Sequence, residues 1–230
     1  MSVETKNAGA RITSDVREAI LFGRWHPNAR LQPAVLASDF GVSTTIIRET
    51  LTRLVGEGLV SVLPNRGFFM RNLSLRELSD ITELRCASEA IAVRLSITRG
   101  DLQWESDLTA LHHRLVKTPR RSPDDPNHFT PEWSRVHREF HLKLIGACEC
   151  EPMITLADNL MSKTELYRQW AASTPSASMR DVEGEHLELL EAALARDVDR
   201  TTDLLIAHYR RTVDVVLESG LEIGPVEASS

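Results

Sequence analysis

The 230 residues hold 27 Lys and Arg against 33 Asp and Glu, and 42% of them are hydrophobic, enough for one large or two small cores. No apolar run reaches the ~18 to 20 residues of a membrane span, and residues 1–10 lack the apolar centre of a secretory signal, so a cytoplasmic protein is expected. Charge is uneven: up to position 72 there are nine basic against six acidic residues and beyond it 18 against 27, so the first segment alone has the balance to meet phosphates.

In chain order, residues 1–10 are polar and read as disordered. Thr13 or Ser14 caps a first helix to about Gly23, with Val16, Ile20 and Leu21 on one face. Residues 31–40 carry a second short apolar pattern (Leu31, Val35, Leu36, Phe40). Gly41 then supplies the left-handed turn that lets two helices cross as a helix-turn-helix. Ser43 caps the next helix, whose apolar stripe is Ile47, Leu51 and Leu54, leaving Thr44, Thr45, Arg48 and Thr52 on the opposite side. That short-chained, uncharged face with one arginine suits a DNA major groove, where hydroxyls reach phosphates and a guanidinium fork pairs with guanine O6 and N7. Residues 59–63 and 68–70 read as strands of a wing, joined at Pro64 and offering Asn65, Arg66 and Gly67 to DNA.

After a linker over 72–74, across which a shift of the following helix would reach the wing, the pattern is helical. The candidates are 75–98, 101–116, 131–148, 152–172, 179–196 and 198–218, the fourth long enough to break or bend; Pro and Ser clusters at 118–131 and 173–178 separate them. The fold class is mainly α: a winged helix-turn-helix over 11–72, an all-helical bundle over 73–218 and a flexible tail over 219–230. Cys86, Cys148 and Cys150 lack metal-ligand spacing and read as ordinary thiols.

His137 and His141 stand at i and i+4, so both imidazoles share a helix face, the spacing of a two-histidine metal claw. Leu144 and Cys148 continue that stripe, which therefore points inward. His186 shares a face with Leu190 and Ala193, and His208 with Leu205 and Thr212, so three helices present histidine to an interior. A lone inward histidine is more often a satisfied core residue than a ligand. His26, His112, His113 and His128 read as surface or loop residues. Arg85, at i+4 from Ile81 and i+7 from Leu78, projects from a buried face, either to hold an anion or to pair with Glu89.

The helix over 12–23, Arg30-Leu31, Leu36-Ala37, Gly41-Val42-Ser43, Arg48-Glu49, Leu51, Leu54, Glu57-Gly58-Leu59-Val60 and Pro64-Asn65-Arg66-Gly67 together resemble the winged helix-turn-helix of GntR-type transcription regulators. Thr44 stands where that family usually has Arg, and Ile46 where it has Pro. Asp80-x-x-Glu83-Leu84-Arg85 with Glu89, His137-Arg138-x-Phe140-His141, Glu185-His186-x-x-Leu189-Leu190-x-Ala192 and His208 resemble the all-helical FCD effector domain of the FadR branch. Ser96-Ile97-x-x-Gly100-Asp101-x-x-Trp104-Glu105 and Tyr167-Arg168 are most similar to the subgroup typified by the glutarate-responsive repressor.

The resemblance implies a homodimeric repressor on double-stranded operator DNA, released by a small carboxylate. It puts His137, His141, His186 and His208 where the branch commonly holds its metal, with His137 in place of the usual Asp. Such a four-nitrogen set suits a divalent transition metal, zinc first and nickel second, over Mg or Ca. Arg85, Tyr167 and Arg168 are the candidate effector-binding residues, although one of the last two, being neighbours, must turn away from any single face. The alternative is a metal-dependent hydrolase with an accessory DNA-binding domain. Against it, Glu139 falls about 100° per residue round the helix from the histidine pair, poorly placed as a general base.

Overall fold

The computed structural model describes residues 3–218, which divide into two compact units meeting in sequence between Ser74 and Leu75. The tail expected over 219–230 lies outside the described residues.

In the first unit, α1 spans Val3–Leu21, so helix replaces most of the disorder expected over residues 1–10. Thr13 is not its cap. Its hydroxyl donates to the Gly9 carbonyl one turn back, at 2.9 Å, a bond that requires the helix to be running already. The stretch contains no proline to stop it, and Ile12, Val16 and Ile20 bury on one stripe. The two-residue strand β1, Arg30–Leu31, was hidden under the helical pattern of 31–40. Pro33 opens α2, Pro33–Asp39, and holds Gln32 before it extended, so the helix cannot reach back to Leu31, which pairs with Phe68 instead.

Gly41, at φ +64°, turns the chain into α3, Thr44–Gly56, where the Ser43 hydroxyl accepts from the Ile46 N–H. Ile47, Leu51 and Leu54 are fully buried, packing α3 on α1 and α2. β2, Val60–Leu63, and β3, Gly67–Met70, form an antiparallel hairpin closed by Leu63 opposite Gly67, in a sheet of order β1-β3-β2. Asn65 sits at φ 58°, a conformation its short polar side chain tolerates.

The second unit comprises α4 (Leu75–Arg99), α5 (Leu102–Lys117), α6 (Pro131–Gly146), α7 (Glu151–Ala171), α8 (Pro175–Met179), α9 (Val182–Leu194) and α10 (Val198–Glu218). α4 packs on α6, α7 and α10 and acts as the axis. α7 runs its 21 residues as one helix. The stretch 173–178, expected as a separator, holds α8: Thr174 accepts from the Ala177 N–H and Pro175 fills the first turn. The helix expected over 179–196 accordingly starts only at Val182, capped by Asp181.

The core joins Ala92, Leu108, Phe140, Leu144, Leu189 and Leu205. Trp104 ties α5 to α6 by donating its indole N–H to the Lys143 carbonyl at 2.8 Å. His112 is a correction: it is buried, because it lies at i+4 from Leu108 on the inner stripe of α5, with its ring 5.9 Å from that of Phe140.

Candidate functional site

α6 brings His137 and His141 inward one turn apart, α9 adds His186 and α10 adds His208. All four are buried, and each offers a ring nitrogen within 4.8 Å of the others. The His141 Nε2 lies 3.2 Å from His137 Nε2 and 3.1 Å from His186 Nε2. For comparison, zinc–nitrogen bonds of about 2.0–2.1 Å in a tetrahedron put ligand nitrogens about 3.3 Å apart. Burial keeps the imidazoles neutral: His186 is pushed down to about 3 against the opposing charge of Glu185, and His137, His141 and His208, where neighbouring positive groups add to burial, lie well below the usual range. Neutral rings are the metal-binding form, so the donor set fits a transition-metal ion.

The surroundings fit as well. His208 donates from Nδ1 to Glu185 at 2.7 Å, which turns its Nε2 inward, and Glu185 is itself held by Arg180 at 2.6 and 2.9 Å. His186 is hydrogen-bonded to the Val182 backbone. His141 Nδ1 is buried without a partner among the described residues. His137 is held differently: Arg168 Nη1 donates to its Nδ1 at 2.8 Å. The same Nη1 lies 3.2 Å from Nε2, and whichever of the two nitrogens accepts from it, the ring proton is on the other.

Beside the cluster lies a cavity of about 30 Å³, space for roughly two waters. His137 and His208 line it, with Arg120, Arg168 and Arg180 and the rings of Phe129 and Trp133. Of the effector residues expected from the sequence, Arg168 lines this cavity, whereas Arg85 and Tyr167 are not among its lining residues. Arg85 takes the alternative weighed for it, an ion pair with Glu89 at 2.7 Å, both buried, and its guanidinium lies 3.8 Å from the Tyr209 ring centre. Tyr209 in turn donates to Glu89 at 2.5 Å, which closes a strut between α4 and α10. Tyr167 turns toward α4 and donates to Glu77 at 3.3 Å.

Arg120 and Arg180 escaped the sequence reading. Both lie in connections between helices, where no periodic pattern marks a direction. Glu139, the hydrolase candidate, pairs with Arg114 and Arg135 on the outer side of α6.

In the first unit, Thr45, Arg48 and Thr52 are exposed on α3 away from its buried stripe, and Thr44, seven residues before Leu51 and so in line with that stripe, is exposed in the first turn beside Ser43 at the cap. The Arg48 guanidinium has no ion pair or hydrogen bond among the described residues. Asn65 and Arg66 are exposed at the wing tip and Gly67 is half-buried. Arg66 lies 5.7 Å from the Phe69 ring centre.

Residues 8–70 match the family of bacterial regulatory proteins named gntR, and residues 80–211 match the FCD domain. The chain is 35% identical over 206 residues to the HTH-type transcriptional regulator BphR of Paraburkholderia xenovorans (strain LB400), covering 90% of this chain and 84% of BphR. It is 28% identical to the HTH-type transcriptional repressor GlaR of Escherichia coli (strain K12), over 89% of this chain and 93% of GlaR. Its fold is that of E. coli McbR/YncC, with a TM-score of 0.75 at 22% identity, covering 91% of this chain and 97% of that one. These matches, a gntR winged helix followed by an FCD bundle along one chain, do not support the hydrolase alternative. The chain belongs to the GntR family of bacterial transcription regulators, in its FCD-bearing FadR-type branch, and is a ligand-responsive DNA-binding regulator.

Proposed function

We propose that the chain is a cytoplasmic repressor that leaves its operator when a small carboxylate enters the cavity beside a divalent ion, zinc or nickel, held by His137, His141, His186 and His208. The observation that carries this reading is the convergence of four buried imidazoles next to a cavity faced by three guanidiniums. An ion bound there supplies positive charge that four neutral ligands do not cancel, so an entering anion gains coordination. Arg168 orients that anion. An ion that took the His137 Nε2 lone pair would leave the ring proton on Nδ1, which would displace the Arg168 donor and leave the guanidinium to the carboxylate.

Arg85 is reassigned from anchor to strut, because Glu89 already satisfies it. Its helix, α4, follows the linker 72–74 directly. Binding can alter DNA affinity only by the amount its free energy differs between the DNA-competent and incompetent arrangements. On DNA, Ser43, Thr44, Thr45, Arg48 and Thr52 are proposed for the major groove, and Asn65, Arg66 and Gly67 for the flanking duplex.

The test titrates malonate, succinate and glutarate into wild type, His186→Ala and chelator-treated protein while operator binding is followed by fluorescence anisotropy. Release of wild type alone is expected. Equal release of all three samples would return the histidines to a packing role.

The repressor is proposed to act as a homodimer on a near-palindromic site, since one small module makes few phosphate contacts and two-fold symmetry doubles them. Leu84, Ala87 and Ile91 support this as an exposed apolar stripe on α4. Ile91→Glu is expected to yield a monomer in sedimentation at micromolar concentration; a dimer that survives Ile91→Glu and Leu84→Glu together removes that stripe from the interface.

A further inference from the structure

The arginines around the histidine cavity are not equivalent. Arg168 pairs with Glu165 and Arg180 with Glu185. Arg120 has no carboxylate partner, and its guanidinium has no hydrogen-bond acceptor among the described residues, although its Nε is buried. Its guanidinium lies 4.7 Å from the ring centre of Phe129 and 5.4 Å from that of Trp133. Desolvation, then the charges of Arg121 and Arg180, pushes its pKa down to about 10, so it stays charged at neutral pH. The carboxylates that act on it at a distance are Glu185 and Glu183. Glu185 is already occupied by Arg180, His208 and Arg211.

This placement is held from several sides. The Arg120 carbonyl accepts from the Thr130 N–H at 3.0 Å, and the Thr130 hydroxyl donates to the Pro119 carbonyl at 2.7 Å. Arg121 fastens the same loop by donating to the carbonyls of Pro126 and Ala172. A clamped loop thus carries an uncompensated guanidinium to the wall of a cavity whose other side is His137 and His208. Arg120 is half-buried, and its buried Nε is the donor for which lacking an acceptor is costly; an anionic group that reaches it removes that cost.

We infer that Arg120 reads a second anionic group on the effector, so that the ligand class is a short dianion rather than a monoacid. This rests on the proposal that the cavity is the effector site. One acidic group lies at the histidine side with Arg168, and the other accepts from Arg120. The cavity as it stands is smaller than a diacid, so its walls must part to admit one and a short chain asks least of them; the charge count favours Arg120 as the second contact, since one ion pair on each of Arg168 and Arg180 leaves it as the guanidinium without a counter-charge.

The test is calorimetric titration of the full-length protein with acids paired by chain length, propionate against malonate and butyrate against succinate. Wild type is expected to prefer the diacid of a pair by about 10- to 100-fold, the span of one charge-assisted hydrogen bond. Arg120→Gln should erase that preference while holding monoacid affinity within about twofold, and Arg120→Lys should keep part of it. A packing role alone would lower both affinities together and leave their ratio, so an unchanged ratio in Arg120→Gln overturns the inference. If Arg120→Gln fails to fold, the ratio in Arg120→Lys, which keeps the charge over the two rings, decides in the same way. Equal binding of monoacid and diacid by wild type overturns the dianion and leaves the effector site standing; binding of neither acid overturns both.

Discussion

Arg48 on α3 and Arg120 beside the histidine cavity are both guanidiniums without a carboxylate among the described residues, yet one is exposed and the other rests against two aromatic rings. A wet guanidinium loses little on meeting a phosphate or a base edge, and salt screens its attraction, which suits a duplex that must be bound and released along its length. A desolvated one interacts more strongly with an anion that reaches it, because little water competes. It also admits little that is not shaped for it. On the proposed function, the first unit reads a polyanion from solution and the second would read a small acid from an interior.

Acid should break this contrast most visibly. In chelator-treated protein the histidine cluster is neutral in the fold, while in the unfolded chain each imidazole takes up a proton near its ordinary pKa of about 6.5. Because the folded values are depressed, the unfolded state binds more protons below about 6.5, so stability is present above that pH and lost as pH falls. For His186, pushed down to about 3 mainly by burial, the loss between pH 7.5 and pH 5 is about 2 kcal/mol, and His137, His141 and His208 add in the same direction. Urea unfolding at the two pH values in the presence of chelator measures it. Equal stability at both would mean that the cluster is not held neutral.

Arg48→Ala comes next in size and probes the exposed side. It should lower specific operator affinity by about 1 to 3 kcal/mol, the size of one good bidentate base contact. The urea midpoint should stay where it is, because the side chain is exposed and without a partner among the described residues. A footprint unchanged by the substitution would take α3 out of the groove. Gly100→Ala acts on packing alone: an added Cβ would stand 2.5 Å from the Trp104 ring and 2.9 Å from the Ser96 carbonyl, at the start of α5. Overpacking of this kind costs about 1 to 3 kcal/mol, with operator affinity per folded molecule unchanged.

The same contrast governs how much could be read from residues alone. The face of α3 was legible because helical period separates Ile47, Leu51 and Leu54 from Thr45, Arg48 and Thr52, and a solvated face needs no partner from elsewhere; Thr44, in line with Leu51, is exposed by its place in the first turn instead. The inward direction of His137, His141, His186 and His208 was legible for the same reason, since each shares a stripe with buried residues. What the stripes could not give was the company those histidines keep. Arg120 and Arg180 come from connections without a period, and the pairing of Glu185 with His208 joins positions 23 apart on separate helices. Arg85 shows the limit from the other side: periodicity places it inward, but whether it meets an anion or Glu89 depends on one rotamer. Pro33 misled in the opposite sense, because the apolar spacing of Leu31, Val35 and Leu36 outweighed the extension a proline imposes before itself.

The smallest effect separates the neighbours Tyr167 and Arg168, which share α7 but face different ways. Tyr167 is buried and donates to Glu77 at 3.3 Å, long for a hydroxyl bond, and both residues have a further interaction, so removal of the hydroxyl strands no isolated charge. Tyr167→Phe should therefore cost about 1 kcal/mol of stability or less. It should leave the affinity for any acid, and the diacid preference, as in wild type, because the ring is not part of the cavity wall. Arg168→Gln, one position on, removes the donor to His137 and a wall of the cavity together, and should weaken monoacid and diacid alike. Calorimetry on the two variants reads the difference directly. If Tyr167→Phe weakened acid binding as much as Arg168→Gln, the effector would lie on the α4 side of α7, where Arg85 and Glu89 stand, and Arg85 would return as its anchor.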